Sequence, residues 1–315
     1  MQTILITGGT GLVGKTLSNY LLTKGYAVIV LTRTIPATTP AEGLTYATWN
    51  VKKQTIDIAA LQKADFIIHL AGAGVVDKKW TPEYKKEIEE SRTQSSKLIT
   101  DTLKAHSHSV KAIISSSAIG WYGEDKQKGF AFTEEDPAED SFLGRTCELW
   151  EKSIEVASAL GIRVCKLRTG IVLSNDGGAL TEFKKPIKMG VAGILGNGKQ
   201  MVSWIHIDDL CRMFLFAVEN TGMNGSYNAV APAPVSNKEL TLTLAKLMKG
   251  SFYVAMHVPE FVLKLMLGTR STEVLKSTTV SCTKIKNEGF TFLYPGIEAA
   301  LHELVINPRP VTDHH

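Results

Sequence analysis

The 315-residue sequence predicts an α/β fold, a doubly wound parallel sheet with a smaller C-terminal α/β lobe. Three observations predict it. In the first half, short apolar runs alternate with helix-length amphipathic segments, as in strands joined by crossover helices. Those runs are almost continuously apolar, which suits strands buried on both faces. After residue 173 the rhythm changes to a glycine-rich stretch and then to separate amphipathic helices. The expected division puts residues 1–173, with contributions from about 204–232, in a large domain, and residues 174–203 and 233–315 in the lobe.

The elements follow in order. Residues 2–7 (QTILIT) form a strand. Residues 12–24 carry Leu12, Leu17, Tyr20, Leu21 and Leu22 at helical spacing, with Gly25 as a stop. Residues 27–32, 65–70 and 111–116 are further strands. Between the last two, Thr81 and Pro82 open a long helix that runs to about residue 106. A helix near 145–160 leads to a strand at 162–167. Six glycines between residues 174 and 204 suggest loops around a cleft. Helices are expected at 206–219, 236–249 and 259–267.

Composition excludes several classes. Hydrophobic residues at 44% and charged residues at 21% are globular and argue against disorder. The net charge of +4 is mild and dispersed, so no nucleic acid partner is expected. No apolar run approaches the roughly 18 residues of a membrane span, and the first residues read as a strand and turn rather than a leader. Cys147, Cys165, Cys211 and Cys282 show neither CxxC pairs nor regular spacing, which fits reduced thiols in the cytoplasm. His106 and His108 lie in a polar helix end, so no metal site is expected. His314 and His315 read as the remnant of a tag.

Residues 7–14 read TGGTGLVG between a strand and a helix. Gly8 permits a tight turn, Gly11 lets the backbone approach a pyrophosphate, and Gly14 lets the helix pack close to the strand. Exposed N–H groups and the positive helix end then attract phosphates. This is the Rossmann-type signature of dinucleotide binding. The second strand ends Leu31-Thr32-Arg33, without the acid that would hold the ribose hydroxyls of NAD. Arg33 can instead grip a 2′-phosphate, so NADP(H) is favoured over NAD(H); the other reading of Arg33 is a solvated loop cation.

Three more segments join this turn: HLAG at 69–72, SSSAIGWYG at 115–123 and WIHIDDL at 204–210. Together they resemble the extended short-chain dehydrogenase/reductase superfamily, relatives of nucleotide-sugar epimerases and dehydratases. LRTGIVL at 167–173 is similar to the family's sixth strand, and GFTFLYPGIEAAL at 289–301 to its C-terminal end. The segments at 71–92 and 147–151 (CELWE) resemble an atypical bacterial-type subgroup of NAD-dependent epimerase/dehydratase family proteins. Some of its members carry a cell-division-inhibitor label.

The resemblance implies a role for each matching residue. Gly8, Gly11, Leu12 and Val13 match the pyrophosphate turn, and Leu70, Ala71 and Gly72 the loop beside the adenosine ribose and phosphate. Ser115, Ser116 and Ser117 match the strand end that presents the catalytic Ser/Thr beneath the nicotinamide, with Ser117 the best match. A homodimer built on two helices is also implied.

The superfamily's Tyr-x-x-x-Lys pair has no counterpart. The helix rhythm aligns Cys147 with the tyrosine and Glu151 with the lysine. A neighbouring carboxylate raises a thiol pKa, so this couple is a poor proton donor. The plainer reading is Cys147 as a small buried hydrophobe and Glu151 as a surface carboxylate. Tyr122, in the loop bordering the site, either donates a proton directly or walls the pocket. Arg168 either meets cofactor or substrate, or forms a buried ion pair. His206 is expected to be structural, Asp209 to cap the helix after it, and Trp80, Trp121 and Trp204 to make core or domain contacts. Two functional readings result: an NADP(H)-dependent oxidoreductase or epimerase-like enzyme acting on a small or sugar-like substrate, and a nucleotide-binding regulatory protein with weak or no catalysis.

Overall fold

The computed structural model describes residues 1–37, 39–127 and 129–306, so His314 and His315 lie outside the described residues. The chain first lays down β1 (Thr3–Thr7), α1 (Leu12–Thr23), β2 (Ala27–Thr32), β3 (Leu44–Asn50), β4 (Thr55–Ile56), α2 (Ile58–Gln62) and β5 (Phe66–His69). It continues with α3 (Pro82–Ala105), β6 (Ala112–Ala118), α4 (Phe142–Glu155) and β7 (Arg163–Thr169). Next come β8 (Ile171–Ser174), β9 (Gly177–Gly178), α5 (Ala179–Lys188), β10 (Val191–Leu195), β11 (Met201–Val202), β12 (Trp204–His206), α6 (Ile207–Glu219) and β13 (Gly225–Ala229). The described chain ends with β14 (Val235–Ser236), α7 (Asn237–Lys249), β15 (Val254–Val258), α8 (Glu260–Leu267), α9 (Ser271–Leu275), α10 (Thr283–Asn287) and α11 (Ile297–Ile306).

The main sheet has eight strands in the order β13-β7-β6-β5-β1-β2-β3-β4. Its pairings are parallel except for β3 with β4. The chain moves outward from β1 through β2 and β3, then returns to β5 on the other side. A crevice forms beyond the strand ends at such a reversal, where ligands of α/β sheets bind. Thr7 and His69 are register partners there.

Side chains alternate across the sheet, which explains the continuous apolar runs. Ile4, Ile6, Val28 and Val30 pack with Leu17 and Leu21 of α1 and Phe214 of α6. Leu5, Ile29, Leu31 and Ile67 pack on the other face with Leu61 of α2, Leu98 and Ile99 of α3 and Ile154 of α4. A third core joins Leu173, Leu180, Ile187, Trp204, Leu240, Leu244 and Leu301. Within the expected lobe, Val280, Cys282, Ile285 and Phe290 return to the first core instead.

Two local expectations are corrected. The glycine-rich stretch holds β9, α5, β10 and β11 rather than loops alone: Gly177 and Gly178 form β9, Gly193 lies within β10, and Gly190, Gly196 and Gly198 sit between elements. Gly177, Gly178, Gly190, Gly196 and Gly198 all have positive φ. The helix expected from residue 145 starts at Phe142, where the Ser141 hydroxyl accepts from the Gly144 N–H. It passes at Val156 into a short 3₁₀ turn. No helix among the described residues is long and apolar enough to cross a membrane.

His69 ties the two halves of the sheet to α3. It is fully buried, with Nδ1 2.7 Å from Thr7 Oγ1 and Nε2 3.2 Å from Ser96 Oγ. Burial, helped by the Arg92 charge, pushes its pKa down from 6.5 to about 3. Below pH 6.5 the unfolded chain therefore takes up a proton that the folded chain refuses. Stability is complete above that pH and falls as the pH drops, by about 1.4 kcal/mol per unit. Urea unfolding at pH 7 and pH 5 should show about 2 kcal/mol of such loss, reduced in His69→Gln; an unchanged difference would contradict the assignment.

Candidate active site

The turn after β1 is closed by a hydrogen bond from the Gly11 N–H to the Gly8 carbonyl, 3.0 Å. Gly8 has φ +70°, and a Cβ there would lie 2.9 Å from the Leu70 carbonyl carbon. Gly14 packs directly on the turn, where a Cβ would sit 2.5 Å from Gly9 Cα. Gly9 is also forced, since its Cβ would meet the Val30 side chain at 2.7 Å. α1 begins with no acidic residue in its first turn and no side-chain cap on Gly11, so its positive end is open. Leu12 and Val13 are half-buried at that end. Thr7 Oγ1 accepts from the N–H groups of Leu70 and Ala71, both at 3.2 Å, and so holds the 70–72 loop beside the turn.

At the end of β2 the Thr32 hydroxyl donates to the Thr34 carbonyl at 2.9 Å, a local turn contact. Arg33 is exposed and has no ion-pair partner among the described residues. It lines a cavity of about 300 Å³ with Thr48, Trp49, Asn50, Thr55, Ile56 and Asp57. Asp57, also in that lining, accepts from the Ala60 N–H through Oδ1 and caps α2.

Strand register builds the other end of the site. Ser117 on β6 pairs with Arg168 on β7, and Arg168 pairs with Asn228 on β13. α4 sets Glu151 over this row. Ser117 Oγ donates to Glu151 Oε1 at 2.7 Å. Arg168 donates to the same carboxylate twice, from Nε at 2.8 Å and Nη2 at 3.0 Å. Ser226 Oγ adds a fourth bond at 2.9 Å. Arg168 is buried on the face of Trp121, its Cζ 3.6 Å from the ring centre. Ser115 is buried and donates to the Ser116 carbonyl.

Several expectations change here. Glu151 is a buried, fully bonded anion rather than a surface carboxylate. Arg168 and Glu151 form a buried ion pair. Tyr122 is 0% exposed; its hydroxyl donates to Asn228 Oδ1 at 2.7 Å and accepts from Arg168 Nη1 at 3.0 Å. Burial, against the Arg168 charge, pushes its pKa to about 12. The Cys147 thiol is pushed up to about 12, by burial first, with Arg92 opposing and Glu151 reinforcing. His206 caps α6 by accepting from the Asp208 N–H, whereas Asp209 accepts from Leu293 and Tyr294 and pairs with Arg212. Trp80 packs edge-on against Phe142, and Trp204 is buried with its N–H on the Ala233 carbonyl. Among the described residues no cluster of three His, Cys, Asp or Glu could hold a metal.

A sequence profile described as the NAD dependent epimerase/dehydratase family matches residues 4–229. The chain belongs to that family. A second profile, a domain of unknown function (DUF1731), matches residues 258–304 of this family member. An epimerase family protein of Staphylococcus aureus (strain NCTC 8325 / PS 47) is 35% identical over 305 residues, 97% of this chain and 99% of that protein. The human epimerase family protein SDR39U1 (isoform 2), solved with NADPH, superposes with a TM-score of 0.83 at 24% identity over 97% of this chain and 100% of that one. A nucleoside-diphosphate sugar epimerase from Corynebacterium glutamicum gives 0.76 at 32% identity, over 96% of this chain and 58% of that one. The first of these structures shares the fold, and the second also shares sequence across nearly the whole chain.

Proposed function

We propose that this family member is an NADP(H)-binding oxidoreductase or epimerase-like enzyme of the extended short-chain dehydrogenase type, acting on a small or sugar-like molecule. The observation that carries the reading is the phosphate turn. Gly8, Gly9 and Gly14 leave no room for a side chain, and the start of α1 is uncapped. The NADPH in the human relative supports it. Gly8 and Gly11 would let the backbone approach the diphosphate, Leu12 and Val13 would turn N–H groups toward it, and Leu70, Ala71 and Gly72 would run along the ribose. Thr32 and Arg33 would meet the 2′-phosphate, and Ser115 and Ser117 would underlie the nicotinamide. The bound coenzyme would supply hydride transfer. Ser117 gives its hydrogen to Glu151, so its oxygen is left to accept a hydrogen bond from a substrate hydroxyl.

Two substitutions test this. Arg33→Asp should weaken NADPH at least about tenfold more than NADH, because it removes one charge-assisted contact and adds a repulsive one. Equal losses in calorimetry would contradict the coenzyme choice. Ser117→Ala should cut turnover by roughly 10²-fold with the melting temperature preserved. Unchanged turnover would make Ser117 structural. The reading also places the protein in the cytoplasm, supported by four free, buried thiols. A homodimer would use α3 and α4, which lie side by side on one face of the sheet.

A second reading is a catalytically weak nucleotide-binding regulatory protein, to which any cell-division role belongs. Cys147 and Glu151, in the places of the usual tyrosine and lysine, favour it. One is held protonated and the other is enclosed by four hydrogen bonds. Tight NADPH binding with no absorbance change across a carbonyl panel would select this reading.

A further inference from the structure

We infer that Arg92 is the receptor for an oxyanion, a carboxylate or phosphate, carried by the molecule that meets the nicotinamide. The inference rests on the enzymatic reading and names the substrate class of that same site.

Arg92 lies midway along α3, between α4 and the loop after β5. The guanidinium stacks over the Trp150 ring, 4.9 Å from its centre. Nη1 is tied to two carbonyls, Ala73 at 3.0 Å and Ile88 at 2.8 Å. The plane is thereby fixed before any ligand arrives. The cofactor-side loop passes directly over it, since a Cβ at Gly72 would meet Arg92 Cζ at 3.0 Å. Cys147, which stands where relatives keep their tyrosine, is close enough to raise the Arg92 pKa against the larger lowering effect of burial.

This half-buried cation has no carboxylate among the described residues. Arg163 spends both terminal nitrogens on the carbonyls of Met223 and Val218. Arg168 gives its Nε and Nη2 edge to Glu151 in a two-point contact. On Arg92 that same edge has no partner among the described residues, and neither nitrogen is completely enclosed. The indole N–H of Trp150 beneath it is a second donor without a partner among the described residues. A rigid guanidinium with one open edge, in a poorly hydrated place beside the coenzyme loop, is built for a two-point grip on an oxyanion. The matching substrates are short oxo or hydroxy acids and sugar phosphates.

The test uses the full chain saturated with NADP+, so that carbonyl probes form dead-end complexes. Calorimetry compares pyruvate with acetone, and dihydroxyacetone phosphate with dihydroxyacetone. At least one anionic probe should bind about tenfold or more tightly than its neutral partner, and the pair that responds separates carboxylate from phosphate. Arg92→Met should erase the preference, Arg92→Lys should keep part of it, and coenzyme affinity should be equal in all three proteins. A tenfold loss of NADP+ affinity in Arg92→Met would overturn the inference and assign Arg92 to the coenzyme's own phosphates. Coenzyme binding with no anion preference would refute the Arg92 inference alone. A chain that binds no coenzyme would refute the functional reading as well.

Discussion

Gly14→Ala is expected to abolish coenzyme binding and to destabilise the fold. The added Cβ would lie 2.5 Å from Gly9 Cα and closer still to the Gly8 carbonyl oxygen. Both neighbours are backbone, so neither can rotate away. Relief requires α1 to move off β1, an overpacking cost of about 1–3 kcal/mol or more. The same shift takes the N–H groups at the start of α1 away from the diphosphate. NADPH affinity should fall at least about a hundredfold, because several charge-assisted bonds are lost together. Gly11→Ala is the informative control. Gly11 has φ −80°, and a Cβ there meets only the Gly8 carbonyl, at 3.3 Å. That variant should keep its fold in urea titration and lose affinity through obstruction of the ligand's approach. If Gly14→Ala binds NADPH normally, the turn does not hold the coenzyme.

Glu151→Ala should produce the largest loss of stability among single substitutions at the active end. It strands the buried Arg168 guanidinium and removes the acceptor of Ser117 and Ser226. Breaking such a pair from one side costs about 3–5 kcal/mol. The double variant Glu151→Ala/Arg168→Met should recover much of that, since it removes both charges. Glu151→Lys, which restores the residue type usual in the superfamily, should fail to restore its chemistry, because it sets a second cation against Arg168. Urea unfolding of the three variants checks this order; a neutral Glu151→Ala would mean that the pair is open to water.

The strands β1, β2, β5, β6 and β7 were legible because burial on both faces writes a continuous apolar run. β3 was not, since LTYATWN mixes threonines and aromatics near the sheet's edge. α5 was hidden by the glycines at its borders. The phosphate turn was legible as a local motif, although the need for glycine at position 9 depends on Val30 from the neighbouring strand. Cys147 and Glu151 were visible as departures from a pattern. Their environment was not, because the row of Ser117, Arg168 and Asn228 is a product of strand register, which joins residues far apart in the chain. For the same reason the sequence suggested two fates for Tyr122 and Arg168 without choosing between them. Arg92 drew no notice in the sequence. Its surroundings come from the loop after β5 and from α4, which are distant from it in the sequence.

Calorimetric titration of the 315-residue chain with NADPH and NADH tests the central claim most directly. Saturable one-site binding, tighter for NADPH and lost in Gly14→Ala, is the predicted result. An absence of heat and of any thermal shift with both coenzymes would contradict it.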